Sequence, residues 1–198
     1  MSNLDRHIAE FRRDVSAERY EVGPEGIALK KGSVLIRGFY QEGVKGKPES
    51  FRLHRNLLVT EGINHMLNVV LGTATKISAW YIAPFSGSAA PAANWTAANF
   101  ASNATEITST SEGFTETTRQ QASFGTAASG VINNYSSKAS FTIECSTTLN
   151  ILGAGLLSSN TRGGTTGTLM SAVKFSSARV LADGDIWQAG YQVELTDS

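Results

Sequence analysis

Few residues in this chain of 198 could perform metal, nucleophilic or acid/base chemistry. The three histidines, His7, His54 and His65, lack the i, i+4 pairing or the cysteine-rich spacing of a metal site. The sequence contains no G-x-S-x-G turn, and no histidine follows His65 to activate the many serines beyond it. We therefore expect a protein that is not an enzyme and that holds no metal and no cofactor.

Two further patterns resemble ligand sites only loosely. Asp183 and Asp185 flank a glycine and could bind calcium or act as an acid/base couple, but Asp-Gly is also ordinary turn chemistry. The Gly-Ala-Gly run at 153–155 lacks the third glycine of a dinucleotide loop. We interpret the aspartates as a solvated turn. The lone Cys145 falls within an alternating segment and is predicted to be a small buried hydrophobe.

Charge divides the chain into two parts. Nineteen charged residues lie among the first 60 and fifteen among the remaining 138, whereas Ser and Thr number five and 36 in the same two parts. The net charge of +0 and its weak separation do not indicate a nucleic-acid partner. No apolar run approaches the roughly 18 residues of a membrane span, and no secretion signal is visible. We predict an N-terminal arm over residues 1–55 and a β module over residues 56–198.

The arm begins with a predicted amphipathic helix. Its apolar residues recur every three or four positions: Leu4, Ile8, Phe11 and Val15. A helix this short is marginal alone, so this apolar stripe needs a partner, either the chain's own β module or a neighbouring subunit. Short strands are predicted after it at residues 27–31, 33–41 and 49–59, with a hairpin loop at 43–48.

A second helix is predicted where the composition changes. Thr60 is placed to cap it and Gly72 to end it in a left-handed conformation. Its apolar face consists of Ile63, Met66, Leu67, Val70 and Leu71. We expect this short helix to cover a sheet with that face.

The remainder is typical of β-strands. Residues 139–145 and 187–195 alternate strictly between apolar and polar positions. Further strands are predicted at residues 77–85, 112–124, 148–157 and 167–175. Because the joints between them are rich in turn residues, we expect a mostly β fold, an antiparallel β-sandwich or jelly-roll-like domain.

Residues 86–110 are predicted to form a long loop of small and polar residues that also contains Trp95 and Phe100. Leaving two large aromatic rings in water is unfavourable. The segment is therefore predicted either to fold back over its own sheet or to insert into a partner subunit. Both rings are candidate interface residues, together with the apolar stripe of the arm.

Several landmarks carry a family resemblance. They are Asn56-Leu-Leu-Val-Thr60, Ala79-Trp-Tyr-Ile-Ala83, and residues 112–116, 118–124, 137–143, 150–157, 163–170, 175 and 181–185. In this order they resemble small virion structural proteins of tailed bacteriophages, over residues 56–198. The resemblance implies a capsid decoration or cement protein, or alternatively a tail, collar or baseplate component.

The resemblance also implies partners and a location. The expected partners are the major capsid protein and copies of the chain itself, as a dimer or trimer, on the capsid exterior after synthesis in the host cytoplasm. Neither nucleic acid nor a membrane is expected as a partner. A rival interpretation is a carbohydrate-binding host-attachment module, in which Trp80, Tyr81 and Trp95 would stack on a glycan.

Overall fold

A computed structural model describes residues 7, 9, 20–22, 28–30 and 34–197 of the chain. The chain divides into two compact units, residues 1–36 with 194–198, and residues 37–193. In the first unit, strands β1 (Tyr20–Val22) and β2 (Ala28–Lys30) pair antiparallel. The four residues of the predicted arm stripe lie outside the described residues: Leu4, Ile8, Phe11 and Val15.

The first large sheet has six strands. They are β3 (Val34–Val44), β4 (Arg52–Arg55), β7 (Gly113–Phe114), β9 (Val131–Asn133), β10 (Ala139–Glu144) and β13 (Ile186–Asp197). The order is β4-β3-β13-β10-β7, with β9 also paired to β13. Strands β3 and β4 form the predicted hairpin, whose loop contains a 3-10 turn at Pro48–Ser50. Both strands fall within the residues that the sequence assigned to the arm, yet they belong to this sheet.

The second large sheet has five strands. They are β5 (Leu57–Leu58), β6 (Tyr81–Phe85), β8 (Gln120–Gln121), β11 (Thr148–Leu157) and β12 (Leu169–Ala182). The order is β5-β12-β11-β6-β8. Neighbouring strands in it pair antiparallel. Within residues 34–197, two α-helices accompany the sheets, α1 (Thr60–Val70) and α2 (Ala97–Ala104).

The main core lies between the two sheets, as in a β-sandwich. Side chains from both sheets are buried together in it, among them Tyr40, Phe141, Ile151, Phe175 and Trp187. In β10 the apolar positions of the alternating pattern are buried, which places one face of that strand in the core. The mostly β, antiparallel fold expected from the sequence is confirmed.

A second core covers the outer face of the five-stranded sheet. The register of β11 against β12 shifts between Ile151 and Gly153. Side chains at odd-numbered positions of β11 therefore face the main core before the shift and the outer side of the sheet after it. Beyond the shift, Gly153 and Gly155 meet the rings of Phe85 and Phe100. A Cβ on either glycine would lie within 2.5 Å of a ring atom. The Gly-Ala-Gly run is therefore a close packing contact between strand and aromatic rings.

Helix α2 was missed from the sequence, which predicted a loop over residues 86–110. The backbone N–H of Thr96 donates to Asn99 Oδ1 at 2.8 Å and closes the start of the helix. Thr105 ends the helix in a left-handed conformation, with φ of 54°. Both boundaries are hard to recognise in the sequence. Asn99 takes the place of the usual glutamate three residues after the cap, and Thr105 takes the place of the usual glycine at the end.

Candidate functional site

Helix α1 is anchored to β12 by its first turn. Gly62 approaches the strand so closely that a Cβ would lie 2.3 Å from the carbonyl oxygen of Met170. The Oε2 atom of Glu61 accepts hydrogen bonds from the backbone N–H groups of Ala97 (2.8 Å) and Leu169 (2.6 Å). One carboxylate thus joins α1 to the first residues of α2 and of β12.

The ends of α1 differ from the sequence prediction. Val59 occupies the N-cap position and Thr60 is the first helical residue, so the threonine side chain does not cap the helix. Gly72 is not among the described glycines with a positive φ. A Cβ there would lie 2.9 Å from the carbonyl oxygen of Asn68, which indicates that close approach is the reason for glycine at this position.

The apolar residues of α1 point mainly to solvent. Exposure is 37% at Ile63, 53% at Leu67, 77% at Val70 and 82% at Leu71, and we call these four residues the α1 face. The expectation that they would cover a sheet is wrong, because the buried contact with β12 uses Gly62 instead. Of the predicted apolar residues, Met66 packs against the main core.

The α1 face is almost free of charge. Residues 60–70 include no lysine or arginine, and the only carboxylate among them, that of Glu61, already accepts two backbone hydrogen bonds. The ring of His65 lies edge-on to Trp80, with the ring centroids 5.8 Å apart. The side chains of the α1 face are aliphatic and suited to contact with another apolar surface, and Asn64 and Asn68 of the same helix are also exposed.

Trp95 and Phe100 are packed within their own domain. Trp95 is 5% exposed and Phe100 fully buried. Their ring centroids lie 6.3 Å apart in an edge-to-face arrangement, and both rings also contact Phe85. The segment therefore folds back over its own sheet. Packing within the chain already buries both side chains, in keeping with the first of the two alternatives that the sequence left open.

The three aromatic residues considered for glycan stacking are not brought together. Trp80 packs against the main core, whereas Trp95 lies in the second core. Tyr81 is half-buried at the start of β6. Since Trp80 and Trp95 belong to different clusters, the three rings do not form one stacking platform.

A buried ion pair joins two loops. Arg119 Nε and Nη2 donate to the two carboxylate oxygens of Glu106, each at 2.7 Å, and both side chains are almost fully buried. Arg119 also donates to the carbonyl oxygens of Ser159 and Gly164. Glu106 Oε2 also accepts a hydrogen bond from the backbone N–H of Gly163. The pair therefore makes its hydrogen bonds to groups within the chain.

Arg162 completes this polar cluster. Its guanidinium lies 3.7 Å above the ring centroid of Phe114 and donates to the carbonyl oxygens of Phe114, Glu116 and Ser109. Burial lowers the pKa of Arg162, although the charges of Glu106 and Glu116 oppose that shift. The arginine thus holds the chain on both sides of β7 in place, and the sequence pattern gave no sign of it.

A second buried carboxylate joins the two large sheets. Glu42 on β3 accepts hydrogen bonds from Arg179 on β12, from Trp187 Nε1 at 3.0 Å and from His54 Nε2 at 3.1 Å. Burial by itself raises the pKa of Glu42, but the bonds from His54, Arg179 and Trp187 outweigh it, so the net pKa is lowered. The ring of His54 also stacks on Phe175.

The remaining chemical candidates have structural roles. Asp183 Oδ1 accepts from the backbone N–H of Cys145, and Asp185 Oδ2 accepts from that of Ala182, around Gly184 with φ of +75°. The two aspartates therefore form a turn, and Cys145 is buried. Among the described residues, no group of three His, Cys, Asp or Glu side chains could hold a metal ion.

No family model matches the chain, and no curated protein matches it significantly. Within the part of the chain that the structure describes, no helix is both long and apolar enough to cross a membrane.

Proposed function

We propose that the chain is a non-enzymatic structural protein of a tailed-bacteriophage virion, a decoration or cement protein on the capsid exterior. In this proposal it contacts the major capsid protein and copies of itself, as a dimer or trimer. The observation that carries the proposal is the α1 face, four large aliphatic side chains exposed on a helix that is anchored to the sheet. An exposed apolar surface on a well-packed domain is typical of a protein that binds other proteins.

The sequence landmarks support the same proposal. Phe141 and Ile143 lie in the main core, and residues 181–185 form the turn before β13. The side-chain amide of Asn56 donates to the hydroxyl of Tyr191 at 3.0 Å. Landmarks at core and turn positions are expected if the resemblance reflects a shared fold. A jelly-roll-like connection of the strands and an N-terminal helical arm are part of the proposal.

The internal ion pairs suit a protein that must keep its shape on a particle. Glu42 with Arg179 joins the two sheets, and Glu106 with Arg119 joins two loops. Breaking a buried pair by removing one partner costs about 3–5 kcal/mol, so these contacts resist local opening. A domain fixed in this way can carry an adhesive surface without changing shape.

Two measurements on the virion whose genome encodes the chain test the proposal. One is an electron-microscopy map of the virion, and the other is the copy number of the chain by quantitative mass spectrometry. Hundreds of copies on the head are expected for a decoration protein. A few copies at the tail, collar or baseplate would instead assign the alternative location. Specific binding on a glycan array with few copies per virion would replace the proposal by host attachment.

The contribution of the arm has its own test. A variant that lacks residues 2–20 should occupy capsids less fully than the intact chain, because it lacks the predicted apolar stripe, which needs a partner. The stripe consists of Leu4, Ile8, Phe11 and Val15. The control is the unfolding midpoint of the variant in urea, which should match that of the intact chain. Unchanged occupancy with unchanged oligomeric mass would exclude a role for the arm in assembly.

A further inference from the structure

We propose that the outer edge of β4 binds an extended acidic segment of another protein as an additional, antiparallel strand. The proposal rests on the proposed function for its setting, a particle in which the chain contacts other proteins, and it names one surface and the chemistry of its partner. Strand β4 (Arg52–Arg55) lies at the end of the six-stranded sheet. Its neighbour is β3, and among the strands that the structure describes none pairs with its other side.

The pairing of β4 with β3 shows which backbone groups face outward. The backbone N–H of Asn56, the residue after β4, donates to the carbonyl oxygen of Gly38 on β3 at 3.0 Å. Hydrogen-bonded and non-bonded positions alternate along an antiparallel strand, so every second residue counted back from Asn56 turns its backbone groups towards β3. The N–H and C=O groups of Leu53 and Arg55 fall at the intervening positions and point away from β3. They are the groups to which an added strand binds.

The exposed side chains at this edge are basic. Arg52 and Arg55 are exposed, and in the described part of the chain neither guanidinium has a carboxylate within 4 Å. Arg52 donates to two backbone carbonyl oxygens, which leaves its charge uncompensated. In the adjoining loop, exposed Lys45 offsets the exposed carboxylate of Glu49. The edge therefore keeps a positive charge that attracts an acidic partner.

The two features together decide the kind of partner. A second β4 would bring the two arginines of each copy onto neighbouring strands, where like charges repel. A nucleic acid would neutralise the arginines but has no peptide groups to pair with the outward backbone of β4. An acidic segment in extended conformation satisfies both the backbone groups and the charges.

The side chains of β4 specify a sequence pattern for that segment. Leu53, which is 59% exposed, and Arg55 lie on one face of the sheet and Arg52 on the other, because successive side chains alternate. Residues directly opposite on neighbouring strands contact each other, so acidic residues should lie opposite both arginines and an aliphatic residue opposite Leu53. Read from its N-terminus, an antiparallel partner is therefore acidic, any residue, aliphatic, acidic.

The first experiment uses the peptide Thr-Glu-Thr-Val-Glu-Thr, blocked at both ends, and measures its binding to the full chain by NMR titration up to millimolar concentration. Binding should be at least about tenfold tighter than that of Thr-Lys-Thr-Val-Lys-Thr. Arg55→Glu should weaken it about tenfold, or roughly 1.4 kcal/mol. The matched control is Lys76→Glu, which makes the same change of charge at an exposed residue outside β4 and should bind like the intact chain. Both variants should keep the unfolding midpoint of the intact chain.

A second pair of peptides separates strand pairing from attraction between charges. In the proposed register the valine lies opposite Leu53 and its N–H points to β4, whereas the N–H of the central threonine points away. A methyl group on the valine nitrogen should weaken binding at least about tenfold, because it removes a hydrogen bond and blocks the approach of the strand. The same methyl group on the threonine nitrogen should leave binding unchanged. Equal effects of the two methyl groups would overturn the proposal.

Other results would also overturn it. They include no binding of the peptide at millimolar concentration, equal binding of the acidic and basic peptides, and tighter binding of a single-stranded DNA oligonucleotide than of the peptide. The proposed function fails separately, by the position and copy number in the virion. A chain that decorates heads but does not bind the peptide would reject the added strand alone. A chain that binds the peptide but is absent from heads would reject the decoration role alone.

Discussion

Arg179 on β12 binds Glu42 on β3 through two hydrogen bonds, so a bidentate ion pair joins the two large sheets across the core. The Glu42 side chain is 2% exposed and that of Arg179 is 22% exposed. His54 Nε2 must donate to this carboxylate, because an ionised carboxylate only accepts hydrogen bonds. Each oxygen of Glu42 thus accepts two hydrogen bonds, from four N–H groups that belong to Arg179, Trp187 and His54.

The first prediction concerns the substitution Glu42→Gln. The neutral amide cannot accept hydrogen bonds from all the donors at once, and it leaves the partly buried charge of Arg179 without a carboxylate partner. The free energy of unfolding should therefore fall by about 3 kcal/mol. Urea unfolding followed by tryptophan fluorescence measures the loss. The matched control is Lys47→Ala, which removes the ion pair between Lys47 and Asp185. The Lys47 side chain is 55% exposed and that of Asp185 is 23% exposed. That control should cost less than about 1 kcal/mol, and an equal loss in both variants would contradict the assigned role of Glu42.

The second prediction concerns pH. The pKa of Glu42 is lower in the folded chain than its ordinary value of 4.5, so its charged form stabilises the fold. This contribution is complete above the ordinary pKa and is lost as the pH falls through the folded pKa. The intact chain should therefore lose stability more steeply below pH 4.5 than Glu42→Gln does. Parallel curves of unfolding free energy against pH would exclude Glu42 as the source.

The strands could be predicted from the sequence where their buried positions hold apolar or small residues. Residues 148–157 match β11 because apolar and small residues mark both of its faces. Residues 112–124 were expected to form one strand, yet they contain only the two short strands β7 and β8. Here Arg119 and the neighbouring Arg162 bind backbone carbonyls, and such contacts between distant segments leave no periodic pattern in the sequence.

The third prediction concerns Gly155. A Cβ there would lie 2.5 Å from Cε2 of Phe100, which is fully buried, so Gly155→Ala should cost about 1–3 kcal/mol by overpacking. The penalty should shrink in a Phe100→Leu background, as a double-mutant cycle in urea would measure. Gly125→Ala is the control, since a Cβ at Gly125 meets nothing within 4 Å. Additive effects of Gly155→Ala and Phe100→Leu would show that the ring is not the obstacle.

The candidate surface could be found only in part from the sequence. The pattern identified the apolar residues of α1 correctly but assigned them to the buried side. The orientation depends on Gly62, whose missing side chain allows the helix to approach Met170 on its other side. A single sequence shows which residues are apolar, but it does not show which glycine brings a helix onto a strand. For the same reason Trp95 and Phe100 could be read as either core or interface residues.

The fourth prediction concerns the turn before β9. Ser129 and Gly130 have φ of 50° and 76°, and Ala128 and Val131 exchange two backbone hydrogen bonds of 2.9 Å. These features define a two-residue hairpin turn with two left-handed residues, in which asparagine is favoured at the first position. Ser129→Asn should therefore raise stability by about 0.5 kcal/mol, whereas Ser129→Val should lower it by about 1–2 kcal/mol, since a β-branched residue tolerates this conformation poorly. Thermal and urea unfolding of the two variants measure the difference, and a valine variant as stable as the asparagine variant would show that the turn is not strained at Ser129.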